Sequence, residues 1–456
     1  MPARKKRSIQ AKDLYRLRLI SDCRLSPDGQ HVVFAVKWAE RKTEKKYSHL
    51  WIVPTDGGRA RQFTYGKQSD SQPQWSPNGR QIAFVSNRDD EKQPQIYLTP
   101  VDGGEARPLT NLKGTLGAFH WSPDSRQLVC QFRKKDKEEI EREKNEQKKT
   151  LGVVSRRINR VFFKLDGTGF LPKERWHIWT INTRNGRARQ LTDSEVFDEQ
   201  EPCWSPDSKT IAFMSNRSTD PDFNPDAVDL YVMPASGGKM KKVETPFGPK
   251  SLPSFSPGGE LIAYVGHAGR AEAWRNDNVW VVPVHGHGEA QNLTGQFDFH
   301  VSHWTLNDVG TPAMTPPVWS KDGKTIYFQV SEHGNTILRS ISIQGANLQD
   351  VISKDGVVGT YTFDRETKFT GLSVANDPGT PLVWLGCILL VVGFVIRLYV
   401  PYRRVWGLLV ARPGGGTSLS IAAVGRRDTG FDTEFTTIVT EIRQALTAQA
   451  PSQGGN

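Results

Sequence analysis

The sequence predicts an all-β protein. It reads as a β-propeller of six four-stranded blades and a partial seventh, followed by one transmembrane α-helix and a small α/β tail. Three observations predict this. A turn motif recurs six times. Each copy is followed by two short apolar runs at strand spacing. One long apolar segment then stands apart from everything before it.

The repeat comes first. Its copies are LSPDG at Leu25, WSPNG at Trp75, WSPDS at Trp121, WSPDS at Trp204, FSPGG at Phe255 and WSKDG at Trp319. The serines fall at Ser26, Ser76, Ser122, Ser205, Ser256 and Ser320, so the intervals are 50, 46, 83, 51 and 64 residues. Proline presets φ, aspartate bonds its own backbone and glycine accepts positive φ, which together specify a hairpin turn. Each turn is followed by a β-branched, apolar run such as HVVFAV, QIAFVS or TIAFMS, then by a second such as HLWIVP, QIYLTP or DLYVMP. A Gly-rich turn and a short strand ending in Phe63-Thr64, Leu109-Thr110, Leu191-Thr192 or Leu293-Thr294 complete four strands. Tandem units of this size make a propeller. The repeated tryptophan is expected to pack between blades rather than to form a ligand cage. After the sixth copy, Val357 to Asp364 reads as the first strand of a seventh blade.

The organisation along the chain follows: a basic leader at 1–20, the propeller at 21–366, a junction at 367–380, the apolar segment at 381–400 and a tail at 401–456. The leader has no apolar core, so it is not a secretory signal peptide. The long repeat interval holds a charged insertion at 133–150, expected to be an exposed helix or a loop.

Residues 381–400, PLVWLGCILLVVGFVIRLYV, carry no charged side chain before Arg397 and approach the length of a bilayer span. Trp384 on one side and Tyr399, Tyr402 and Trp406 on the other read as interfacial belts, and Arg397, Arg403, Arg404 and Arg412 place the C-terminus in the cytoplasm. The expectation is a single-pass membrane protein with the lipid bilayer as a partner. The side of the membrane occupied by the propeller is left open.

The net charge is +11, from 60 Lys and Arg against 49 Asp and Glu. No nucleic-acid-binding motif accompanies it, so nucleic acid is not expected as a partner. Cys23, Cys130, Cys203 and Cys387 form no Cys-x-x-Cys pair. Cys130 stands where Phe84 and Phe213 stand in sister repeats, which predicts a buried apolar role. His285-Gly-His-Gly288 falls on a turn, His300 and His303 have a ligand-like spacing but no acid or cysteine cluster nearby, and Asp220 to Asp226 reads as a connecting loop. No catalytic, cofactor-binding or metal-ligating residue is assigned, and no cofactor is expected.

Over residues 9–364 the repeats, the charged insertion and the stretch RRINRVFFKLDGTGFLPKERWHIWTINTRNGRARQLTD (156–193) resemble the propeller of the prolyl oligopeptidase family, in its acylaminoacyl-peptidase and dipeptidyl-peptidase V branch. The resemblance implies a propeller that caps an α/β-hydrolase domain and filters peptides. These residues contain no Gly-x-Ser-x-Gly elbow, and the last histidine is His333. Catalysis is therefore not expected of this chain. Over 369–448, Gly371-Leu372, Asp377-Pro378-Gly379, Arg403-Arg404-x-Trp406, Phe431 and Glu434-Phe435 resemble the end of a ResB-like cytochrome c biogenesis protein. That likeness implies a non-catalytic membrane protein with at most a part in cytochrome c assembly beside the maturation proteins. The two likenesses meet inside a blade, so a fused or mis-joined gene product is expected. The alternative is the substrate-gating propeller of a serine peptidase, acting as a peptide- or protein-binding module. In the tail, Thr417 to Val424 reads as a strand, and Phe431, Phe435, Ile438, Val439, Ile442 and Leu446 share one helix face.

Overall fold

The computed structural model describes residues 10–158, 160–285, 288–305, 314–353, 356–365, 368–374, 402–412, 417–426 and 430–448. Six antiparallel four-stranded blades follow one another from Leu19 to Ile352. Their first strands are Leu19–Leu25, Asp70–Trp75, Gly114–Trp121, Glu199–Trp204, Lys250–Phe255 and Val318–Trp319. The first strands of blades one and two, three and four, and four and five lie against each other, whereas the last strands pack chiefly on their own blade. The first strands are therefore innermost and wall the central channel.

The Ser-Pro-Asp-Gly turns are built as their chemistry requires. In the first blade, Ser26 N–H donates to the His31 carbonyl, His31 N–H donates to Ser26 Oγ and Gln30 N–H donates to Asp28 Oδ1 at 2.8–3.0 Å. The Ser26 hydroxyl in turn holds the Asp28 carboxyl below its usual range. Gly29 and Gly79 sit at φ 72° and 71°, in the left-handed region that glycine tolerates. In the two Trp-Ser-Pro-Asp-Ser turns, Ser125 and Ser208 adopt φ of 60° and 62° instead. Each uses its hydroxyl to accept a backbone N–H from the neighbouring blade's turn, Asn78 to Ser125 at 3.2 Å and Asp124 to Ser208 at 3.1 Å.

The core lies between blades. Val33, Ala35, Leu50 and Ile52 of the first blade pack on Trp75, Ile82, Phe84 and Tyr97 of the second. Equivalent layers join the later blades. The repeated tryptophans do pack between blades, and they also tie them. The indole N–H groups of Trp75, Trp121, Trp204 and Trp319 donate to the carbonyls of Arg24, Gln74, His120 and Ser254 at 3.0–3.2 Å. Each acceptor is on the preceding blade. Cys130 is fully buried among Phe119, Leu128 and Phe132, and burial pushes its thiol up to about 12.

The strand expected at Val357 to Asp364 exists, as Val357–Arg365, but it does not open a separate blade. It forms a hairpin with Lys368–Val374 and joins the sixth blade's sheet through Thr336. The backbone carbonyl of Val358 accepts from Gln329 Nε2 at 2.6 Å, and Tyr361 donates its hydroxyl to the Tyr327 carbonyl at 3.0 Å. This strand also lies beside the first strand of blade one, so it bridges the sixth-to-first seam.

The insertion forms two exposed helices, Lys137–Lys144 and Glu146–Leu151, held by pairs such as Lys135–Glu143 at 2.5 Å. Arg133 and Lys134 belong instead to the preceding strand, Gln127–Lys134.

The chain divides into two compact units, residues 1–376 and 377–456. In the second, Tyr402–Ala411 pairs antiparallel with Thr417–Arg426, and a helix runs over Phe431–Ala448. Phe431 is buried and Phe435, Ile438, Val439 and Ile442 are half-buried on one face, whereas Leu446 is exposed. The single-pass membrane reading is corrected here. Among the described residues no helix is long and apolar enough to cross a membrane. Tyr402, Arg403, Arg404 and Trp406, expected as flanks of a span, belong to a β-hairpin strand. Residues 381–400 themselves lie outside the described residues.

Candidate functional site

Alternation along the innermost strands decides what faces the channel. In blade two, Asp70, Pro73 and Trp75 are buried while Ser71, Gln72 and Gln74 are not. In blade four, Glu199, Pro202 and Trp204 are buried while Gln200, Glu201 and Cys203 are not. A bulge interrupts these strands at matching places, between Ser71 and Gln74, Gln200 and Cys203, and Ser251 and Ser254. The bulged residues Asp22, Gln72, Glu201 and Leu252 take φ of 52–56°, which re-aims their side chains. Glu201 then reaches the next blade, and its Oε2 accepts the Leu252 N–H at 2.5 Å.

Antiparallel topology puts the Ser-Pro-Asp-Gly turns on one face and the long connections on the other. On the second face, at the start of the fourth blade's inner strand, opens a cleft of about 270 Å³. Its walls come from the stretch after the insertion (Arg160, Phe162, Arg175), the inner strand and the residue before it (Asp198, Gln200, Glu201), the 216–228 connection and Lys250 of blade five. Arg160 forks onto Asp222 at 2.9 and 3.2 Å, and Arg175 pairs with Asp198 at 3.2 Å. Burial pushes the Asp222 carboxyl up, but Arg160 and the Phe162 N–H outweigh it and hold it low. Lys250 is buried and donates to the carbonyls of Val228 and Gly248 at 2.7 and 2.8 Å. Burial brings its ammonium down to about 8. Burial raises the Glu201 carboxyl, only partly offset by the Leu252 N–H. The cleft is thus preformed, with apolar walls from Phe162, Val196 and Met214 beside its charged groups, and with its two arginines already neutralised.

The acidic run Asp220 to Asp226 is a connecting loop, as its sequence suggests, and it is also a wall of this cleft through Asp222. His300 and His303 do not converge. Asp277 N–H donates to His300 Nδ1 at 2.9 Å, while His303 faces Gln329 at 3.4 Å. The acid near His300 in the fold is Asp277, at 3.8 Å from His300 Nε2, and it also meets His267 Nδ1 at 2.8 Å. Among the described residues no group of three His, Cys, Asp or Glu side chains could hold a metal ion. Gly286 and His287 lie outside the described residues.

A second polar feature has a sequence signal in Ser-Asn-Arg, at 86–88 and 215–217. Arg88 pairs with the fully buried Asp70 at 3.1 Å and lies over Phe84 and Tyr97, at 5.4 and 4.7 Å from the ring centres. Arg217 pairs with the fully buried Glu199 and lies over Phe197 and Tyr231. His177 Nδ1 meets the other oxygen of Glu199 at 2.8 Å. These groups brace the start of each inner strand.

Comparison with known proteins bears on this architecture. The TolB beta propeller domain family matches residues 19–161. The chain is 28% identical to the uncharacterised peptidase YuxL of Bacillus subtilis (strain 168), over 75% of this chain and 51% of that protein. It is 26% identical to dipeptidyl-peptidase 5 of Porphyromonas gingivalis, over 79% of this chain and 50% of that one. The chain thus spans about half the length of these curated relatives. Among solved structures, Pyrococcus horikoshii acylaminoacyl peptidase superposes with a TM-score of 0.58 at 15% identity, covering 87% of this chain and 56% of that one. The β-propeller domain of the trilobed protease from Pyrococcus furiosus, described as having an open velcro topology, gives 0.52 at 14% identity, covering 79% of this chain and 99% of that one. The protein therefore carries a TolB-like β-propeller similar to those of acylaminoacyl and dipeptidyl peptidases. The ResB-like reading of 369–448 gains no support from these matches, and the part in cytochrome c assembly is withdrawn with it. Residues 368–374 pair with the propeller's own strand, which is a structural reason to separate them from that likeness.

Proposed function

We propose that this chain is the peptide-gating propeller of an acylaminoacyl- or dipeptidyl-peptidase-like system and binds unfolded peptide at its channel. The observation that carries this reading is the preformed cleft at the start of the fourth blade's inner strand, on a propeller whose relatives include peptidases. A peptide offers backbone N–H and C=O groups along its length. The cleft offers a preformed concavity with apolar walls and the half-buried Gln200 and Glu201 of the inner strand. A folded protein cannot enter a channel walled by six inner strands, so size selection follows from the architecture. Hydrolysis is not assigned to these residues, which contain no Gly-x-Ser-x-Gly sequence.

The test is direct. Fluorescein-labelled unstructured peptides are titrated against the chain by anisotropy, with a folded small domain as competitor. In parallel the chain is exposed to a fluorophosphonate serine probe and to chromogenic dipeptidyl and acyl-amino-acid substrates. Saturable peptide binding without competition by the folded domain is expected, with no labelling and no turnover. Turnover by the purified chain, or the absence of peptide binding, would overturn the proposal.

A further inference from the structure

We propose that the central channel contains a carboxylate-recognition site built on Arg24, which takes the carboxylate of a peptide. The inference rests on the peptide-binding reading above and gives that reading a ligand chemistry.

The residue just before the aromatic, or before Leu25, of each turn motif occupies one level of the channel wall. In blade order these are Arg24, Gln74, His120, Cys203, Ser254 and Val318. The indole ties fix this level, since four of them end on the backbone carbonyls of Arg24, Gln74, His120 and Ser254. Arg24 is the one charged side chain among the six. Its side chain is water-accessible, on a strand that walls the channel.

Two blades away, His120 feels the Arg24 charge. Gln74 of blade two stands between them and turns its amide to the Phe119 carbonyl. Arg24 and His120 are thus close enough for the charge of one to act on the other. Burial, and then the Arg24 charge, push the His120 imidazole down to about 4, so it is neutral at pH 7 and adds no second charge.

Among the described residues the Arg24 guanidinium forms no ion pair, although the Asp22 charge lies near enough to favour its charged form. Its Nη1 donates to the Cys23 carbonyl at 3.0 Å. The nearby acid, Asp22, is turned to the Ser21 hydroxyl at 3.2 Å and the Gln72 N–H at 3.5 Å. This contrasts with Arg160 and Arg175 in the cleft, which both hold carboxylates. An enclosed guanidinium with spare N–H donors binds a planar carboxylate by two parallel hydrogen bonds, in surroundings where such bonds are stronger than in water. The carboxylate can be a peptide C-terminus or an acidic side chain.

The test uses the full chain and three labelled peptides of one length: acetyl-Ala-Ala-Phe as free acid, the same peptide as C-terminal amide, and acetyl-Glu-Ala-Phe-amide. The free acid is expected to bind about tenfold more tightly than the amide, the step worth one charge-assisted hydrogen-bond pair. Recovery of that affinity by the glutamate peptide identifies side-chain carboxylates as ligands, and failure to recover it restricts the site to C-termini. Arg24→Gln keeps the carbonyl that Trp75 uses and is expected to erase the difference, while Arg24→Lys keeps part of it. Equal binding of acid and amide by the wild-type chain overturns the Arg24 site and leaves peptide binding standing. Absence of binding by all three peptides overturns both. The wild-type comparison holds whether or not the variants fold.

Discussion

Glu201 is held in the left-handed region at φ 52° and sits in a half-buried place where burial raises its carboxyl. Its Oε2 accepts a backbone N–H, a role that an amide oxygen fills equally well. The folded chain therefore keeps the Glu201 proton to higher pH than the unfolded chain does. Between the ordinary glutamate value, about 4.3, and the raised one, the folded state binds more protons, so this group's contribution to stability falls as pH rises. Glu201→Gln removes that fall. The stability difference between variant and wild type, from urea unfolding at pH 4 to 7, is expected to grow in the variant's favour with pH. A difference that is flat, or that shrinks, would sink the assignment. Neither the bulge nor the cleft that make Glu201 special can be read from the tripeptide Gln200-Glu201-Pro202, because both depend on the register with the second strand of the blade.

At the scale of the element, the fourth strand of each blade is only two to four residues long. A threonine completes its pairing. The hydroxyls of Thr64, Thr110, Thr192 and Thr294 accept the backbone N–H of Leu50, Ile96, Ile178 and Val279 at 2.9–3.0 Å. The Phe-Thr and Leu-Thr pairs visible in the sequence are thus a strand ending in which a side chain replaces a backbone acceptor. Thr192→Val keeps the shape and orphans the buried Ile178 N–H. It is expected to cost about 1–3 kcal/mol by urea unfolding, and no change in midpoint would refute the role. Blade strands were legible because turn chemistry, alternation and this ending agree at each repeat. The second unit was not. Val405, Trp406, Leu408, Leu409 and Val410 are apolar without a helical or membrane period, and they form a hairpin strand with exposed side chains. A basic, aromatic stretch beside a long apolar run reads as an interfacial belt until its pairing with Thr417–Arg426 is seen.

At the scale of the whole molecule, six blades were countable from the turn motifs, but how the ring is tied was not. The tryptophan of the motif showed packing. That its N–H reaches a particular carbonyl one blade back needed the structure. Trp204→Phe retains an aromatic ring and removes the donor to the His120 carbonyl. A loss of about 0.5–1.5 kcal/mol is expected in urea unfolding, and a variant as stable as wild type would show that the tie carries no weight. Phe255 is the natural control, since blade five holds its place in the ring without an indole. The channel site was hidden for the same reason. Arg24, Gln74 and His120 share a level only because successive inner strands stand side by side.

The direction of the indole ties has a consequence for how the ring is made. The donor is always on the blade translated later, and the acceptor is on the blade translated just before it. Each tryptophan thus meets an acceptor that has already left the ribosome, and no tie waits for residues still to be synthesised. The first of the six blades carries Leu25 where the others carry an aromatic. Growth from the N-terminus is written into which blades hold the hydrogen-bond donor.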